Sequence, residues 1–127
     1  MDKSAMVSDY IDAGADFVLR LNDYKPVRAA CWLRREEFEE RYLYVALEGL
    51  SPENRRYAKQ EVRRIAEDMT DFIDPFRVRV IGTDHEIALA VTELYRRHPV
   101  NTPREFHERA LAGAAEMFIY PPVNGNS

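Results

Sequence analysis

The chain has 127 residues, 46% apolar and 31% charged, which excludes a disordered or collagen-like polymer and suits one domain with a real core rather than two. Eighteen basic against 22 acidic residues leave a net charge of -4, the wrong balance for a dedicated non-specific nucleic-acid binder. The single cysteine excludes a disulfide framework and a cysteine-built zinc site and fits a reducing, cytoplasmic compartment; no apolar run approaches the roughly 20 residues of a membrane span, and the N-terminus lacks a signal-peptide core.

Between Ser4 and Asn22, Val7, Tyr10, Ile11, Gly14, Phe17, Val18 and Leu21 recur at helical spacing, with Asp9, Asp12 and Asp16 on another side. Gly14 sits on the apolar stripe, where glycine costs about 1 kcal/mol relative to alanine. That cost implies that something packs closely against it.

From Val27 to Arg34 the spacing changes to alternation, with Val27, Ala29, Cys31 and Leu33 on one face and Arg28, Ala30, Trp32 and Arg34 on the other. The acidic connector Glu36–Glu40 leads to a second alternating run from Arg41 to Leu50, and so short a link predicts an antiparallel hairpin. Ser51-Pro52-Glu53 carries the signature of a helix start. The apolar stripe Ala58, Val62, Ile65, Ala66, Met69, Phe72 and Ile73 then predicts a helix to Asp74, closed by Pro75. Its basic residues Arg55, Arg56, Lys59, Arg63 and Arg64 are interspersed with Glu61, Glu67 and Asp68 and read as a solvated, locally paired face.

Phe76 to Ile81 alternates as a third strand, ended by Gly82. Thr83 to Glu86 fits a capping box for a helix running to Pro99, and Thr102 to Glu105 fits another, opening a shorter helix through Ala115. Met117 to Tyr120 reads as the last strand and Asn124–Ser127 as a frayed tail beyond a single domain over residues 1–123. The order helix, strand, strand, helix, strand, helix, helix, strand predicts an α+β fold. Its expected form is a two-layer α/β sandwich with one mixed sheet of about four strands and helices on one face.

With the helices on one face, the other face of the sheet gathers Arg28, Trp32, Arg34, Tyr42, Tyr44, Arg77 and Arg79. Tryptophan, tyrosine and arginine are the residues of protein-interface hot spots. The expected activity is therefore non-enzymatic: docking of a protein partner, or of a second copy to form a homodimer, on this face. The alternative use of the same residues is RNA or nucleotide binding, with rings stacking bases and guanidiniums meeting phosphates.

Walker, Rossmann, nucleophile-elbow and HExxH motifs are absent. No cofactor or metal is expected, because His85, His98 and His107 lack ligand spacing. A second alternative is a small enzyme with its site at the Gly82–Glu86 junction, where a strand meets a helix N-terminus and His85 stands beside Asp84. Cys31 falls on an apolar face and reads as an inert core thiol.

Overall fold

A computed structural model of the chain describes residues 3–70, 73–106 and 113–123. Along the chain these form α1 (Lys3–Tyr24), β1 (Val27–Arg35), β2 (Tyr42–Leu47), α2 (Arg55–Asp68), a 3₁₀ turn (Pro75–Arg77), β3 (Val78–Gly82), α3 (Glu86–Arg97), β4 (Arg104–Phe106) and β5 (Ala114–Ile119). The fold is α+β, with helices packed on one mixed sheet of order β3-β2-β1-β5-β4. The sheet has five strands where about four are expected.

The β1–β2 link makes the expected antiparallel hairpin, and α2 is the crossover that brings β3 back parallel to β2. β5 returns antiparallel to the other side of β1, and β4 pairs with β5. A strand over Arg104–Phe106 replaces the helix expected from Thr102. The capping signal there is local, and it loses to main-chain pairing of Arg104 and Phe106 with Ile119 and Met117. The middle of that expected helix, residues 107–112, and the expected tail 124–127 lie outside the described residues.

The helices cover both faces of the sheet, which corrects the expected two-layer form. One core lies under α1 and α2 and contains Phe17, Val18, Leu21, Ala30, Trp32, Leu43, Val45, Val62, Ile65, Val78 and Val80. The other lies under α3 and contains Ala29, Cys31, Leu33, Ala46, Ile81, Ile87, Val91, Leu94, Met117 and Ile119. Each fully buried leucine, valine or phenylalanine contributes about 1.5–3 kcal/mol by leaving water. A sheet filled on both sides therefore uses nearly every residue of its central strands.

Ala29 through Leu33 are all buried, the continuous apolar run of a strand covered twice. A bulge between Val27 and Ala29 shifts the phase as well. Val27 shares the α1 side with Ala30 and Trp32, whereas Ala29, Cys31 and Leu33 face α3.

Three helix boundaries differ from expectation. α2 starts at Arg55 rather than after Ser51, yet the capping chemistry is present one turn earlier. Ser51 Oγ accepts from the Asn54 N–H and Asn54 Oδ1 accepts from the Ser51 N–H, at 3.3 and 2.8 Å, the reciprocal pair of a capping box with asparagine in the acid's place. At the other end α2 stops at Asp68 rather than Asp74. α3 is capped by His85, because the Gly82–His85 turn, closed by a 3.2 Å bond from His85 N–H to Gly82 O, consumes Thr83 and Asp84.

Tyr120 fastens the layers together. Its hydroxyl accepts from Trp32 Nε1 at 2.9 Å and donates to the Ile11 carbonyl of α1 at 2.7 Å. Its own carbonyl accepts from the Tyr95 hydroxyl of α3 at 2.6 Å. Gly14 lies where the aromatic pair meets α1. A Cβ added there would stand 2.2 Å from Tyr120 Oη and 2.9 Å from Trp32 Nε1, so the glycine marked by the helix pattern is the one that admits the Trp32–Tyr120 pair.

Candidate functional site

The seven residues expected on one open face are divided by this architecture. β1, β2 and β3 are neighbours, as that face requires, but their side chains alternate between two covered sides. Trp32 is buried beneath α1 at 6% exposure, with Tyr10 tilted against it at 5.6 Å between ring centroids. Its indole N–H is committed to Tyr120. Arg34, on the same side, donates to the Phe38 carbonyl and lies 3.4 Å from Glu116. Arg28 projects from the bulge toward Glu48 at 3.5 Å.

The other four residues do come together at the β2–β3 end of the sheet. Tyr42 is half-buried under two guanidiniums, with Arg79 at 4.4 Å and Arg77 at 5.6 Å from its ring centroid. Tyr44 lies opposite Arg79 in the β2–β3 register and packs toward the α3 core. Phe76, expected in the core as part of the third strand, instead belongs to the 3₁₀ turn. Pro75 and the Asp74 carboxylate, which accepts from the Phe76 N–H at 2.9 Å, set that turn. It leaves Phe76 72% exposed.

Two surface concavities of similar size flank this region and differ in charge. A cleft of about 380 Å³ at the hairpin end is lined by Tyr10, Trp32, Glu39, Glu40, Arg41, Asp74 and Arg77. Both of its arginines are paired with carboxylates. Arg41 is bidentate on Glu116 at 2.8 and 3.1 Å, and Arg77 lies 4.0 Å from Asp74. The hydrogen bond from Arg41, its charge and the Arg34 guanidinium hold the Glu116 carboxyl below its usual range despite partial burial.

A groove of about 370 Å³ runs between α2 and β3, lined by Arg55, Lys59, Arg63, Val62, Pro75, Phe76, Val78, Arg79 and Val80. Arg55, Lys59 and Arg63 stand at i, i+4 and i+8 of one helix, so they form a single basic stripe. The local pairing expected along α2 takes up only Arg64, which pairs with Glu61; Asp68 turns instead to Arg20 of α1 at 3.6 Å. No carboxylate among the described residues pairs with Arg55, Lys59, Arg63 or Arg79. The Arg63 guanidinium lies 5.9 Å from the Phe76 ring, and that of Arg55 donates to the Val80 carbonyl at 3.1 Å. The stripe is legible in the sequence as a four-residue spacing of cations. Its significance depends on the edge strand beside it, which only the sheet order supplies.

At the Gly82–Glu86 junction the residues are used structurally. His85 Nδ1 accepts from the Ile87 N–H at 3.1 Å as the cap of α3, and Glu86 lies 3.8 Å from Arg35. Asp84 is exposed on the turn. Cys31 is buried, and burial pushes its thiol up to about 12, the opposite of an activated nucleophile. Among the described residues no group of His, Cys, Asp and Glu has the arrangement of a metal site, and no helix is long and apolar enough to cross a membrane. Comparison with family models, with curated proteins and with solved structures found no match for this chain.

Proposed function

We propose that the chain is a non-enzymatic docking protein that binds an acidic segment of a partner protein in the groove between α2 and β3. The observation that carries this reading is the concentration, around the exposed Phe76 ring, of four cations that pair with no carboxylate among the described residues, on a protein of net charge -4. Arg55, Lys59, Arg63 and Arg79 are all exposed, so water solvates their charges in the free protein and leaving them without a carboxylate costs little until a partner arrives. The charge then supplies steering and selectivity while the exposed Phe76 ring supplies the main apolar contact.

The reading keeps the arginine-and-aromatic chemistry of an interface and moves its centre to the rim of the sheet. Protein is favoured over nucleic acid because the rings here offer few stacking faces. Tyr42 is already roofed by Arg77 and Arg79, Trp32 is buried, and Phe76 alone presents an open ring at the groove.

Fluorescence anisotropy with a labelled glutamate-rich peptide tests it. The wild-type chain is expected to bind, and the double charge reversal Lys59→Glu with Arg63→Glu to lose affinity by about tenfold or more. Arg28→Glu, remote from the groove, serves as the control and should leave binding unchanged. Equal binding by wild type and double reversal would refute the groove as the site.

A further inference from the structure

We infer that the acidic segment is accommodated as an added β-strand, its main chain pairing with the outer edge of β3 while every second side chain, on the α2 side, meets the cations. This rests on the docking reading above and specifies its geometry. Among the described residues β3 is the terminal strand of the sheet and pairs with β2 alone. Its outer edge therefore carries main-chain donors and acceptors with no strand beside them, the template that extended peptides use for recognition.

Four features of the groove fit a strand better than a helix or a loop. The wall opposite α2 is made by consecutive strand residues, Val78, Arg79 and Val80, so any occupant lies along the strand axis. Val78–Gly82 contains no proline, and the edge is free to pair over about four residues at strand spacing. Arg55 already donates to a main-chain acceptor here, the Val80 carbonyl at 3.1 Å. An incoming N–H can take that bond over and release the guanidinium to a carboxylate, which exchanges one satisfied acceptor for another. Finally, successive residues of an added strand point to opposite faces, so acidic residues on the α2 side meet Arg55, Lys59 and Arg63 while the apolar residues between them lie on the Tyr42 side.

The same cations discriminate among strands. A basic strand, including the edge of a second copy with its own Arg79, would bring like charges together across the pair and is disfavoured, and a neutral strand gains nothing from the cations. The basic stripe thus opposes pairing of this edge with a second copy and favours an acidic strand.

The test uses two synthetic octapeptides of alternating valine and glutamate, one unmodified and one N-methylated at every second residue so that one edge has no N–H donors. Nothing in the protein is changed, so folding cannot confuse the result. The unmodified peptide is expected to bind, to slow exchange of the Val78–Gly82 amides not bonded to β2 by about tenfold, and to outbind its N-methylated form by about tenfold. Equal affinity of the two peptides, with β3 amides unprotected, would overturn strand addition and leave acidic docking standing. Failure of every acidic peptide to bind, or preferential binding of a single-stranded oligothymidylate probe, would overturn both. Self-association that competes with the peptide would assign the edge to a second copy and overturn the proposal as well.

Discussion

Gly14→Ala is expected to destabilise the protein by about 2–4 kcal/mol, although alanine is the better helix former by about 1 kcal/mol. The added methyl would lie 2.2 Å from Tyr120 Oη, a separation at which something must move. The phenol has little freedom, since it is buried and held between Trp32 Nε1 at 2.9 Å and the Ile11 carbonyl at 2.7 Å. Moving it leaves the Trp32 N–H unpaired in the core, and moving α1 opens the packing of Phe17, Val18 and Leu21.

Chemical denaturation measures the loss, and a double-mutant cycle identifies its cause. In the Tyr120→Phe background the hydroxyl that meets the methyl is gone, so Gly14→Ala should cost at least about 1 kcal/mol less there. Trp32 emission is expected to be blue in the wild type, because the indole is buried, and to move red in Gly14→Ala alone. A Gly14→Ala variant as stable as wild type, or stabilised by its helix propensity, would contradict the packing described.

The second large effect is alkaline. Burial pushes the phenols of Tyr120 and Tyr95 well above their ordinary range near 10, and the Cys31 thiol from 9.0 to about 12. Each group binds its proton more tightly folded than unfolded. The stability it contributes is therefore complete below its unfolded pKa and is lost as the pH rises above that value toward the folded one. The cysteine sets the onset near pH 9 and the tyrosines join near pH 10.

Each group then lowers stability by up to about 1.4 kcal/mol per pH unit, together roughly 5–6 kcal/mol by about pH 11, a large part of a small domain's total. Denaturation midpoints collected across this range should fall with increasing steepness, and Cys31→Ala should remove the earliest part of the fall. A flat profile to about pH 11 would mean that these groups are hydrated in the folded protein. On the acid side Glu116, held ionised by Arg41 and Arg34, contributes in the opposite sense, but its partial exposure keeps that contribution small.

How much of this was open to sequence reading depends on which force decided each element. The α1 stripe, the β1–β2 hairpin and the α2 crossover follow from periodicity and link length, and their partners in space follow from chain geometry. Gly14 announced a close approach without revealing what approaches, because Tyr120 is 106 residues away along the chain. The alternation imposed on Val27–Arg34 concealed the stronger signal in the same residues. Ala29-Ala30-Cys31-Trp32-Leu33 is a continuous apolar run, and such a run is filled on both sides.

With that run read as double burial, Trp32 could not anchor an open face. The bulge at Val27/Ala29 is invisible to any strict two-residue period. The helix expected from Thr102 failed because sheet pairing outweighs a capping motif of three or four residues, and Phe76 left the core because Pro75 begins a 3₁₀ turn rather than a strand. The α2 cations were visible from the start, but their partner, the open edge of β3, is a property of strand order.

Charge exchange across the groove tests the central claim most directly. The double reversal Lys59→Glu with Arg63→Glu would be titrated with two peptides of matched length, one glutamate-rich and one lysine-rich, at low salt and again near physiological ionic strength, where screening acts over about 8 Å. The double reversal leaves two cations facing two carboxylates in the groove, so the account predicts that the preference for the acidic peptide vanishes, and that the wild-type affinity for that peptide weakens with salt. A reversed groove that binds neither peptide differently from the wild type would contradict it.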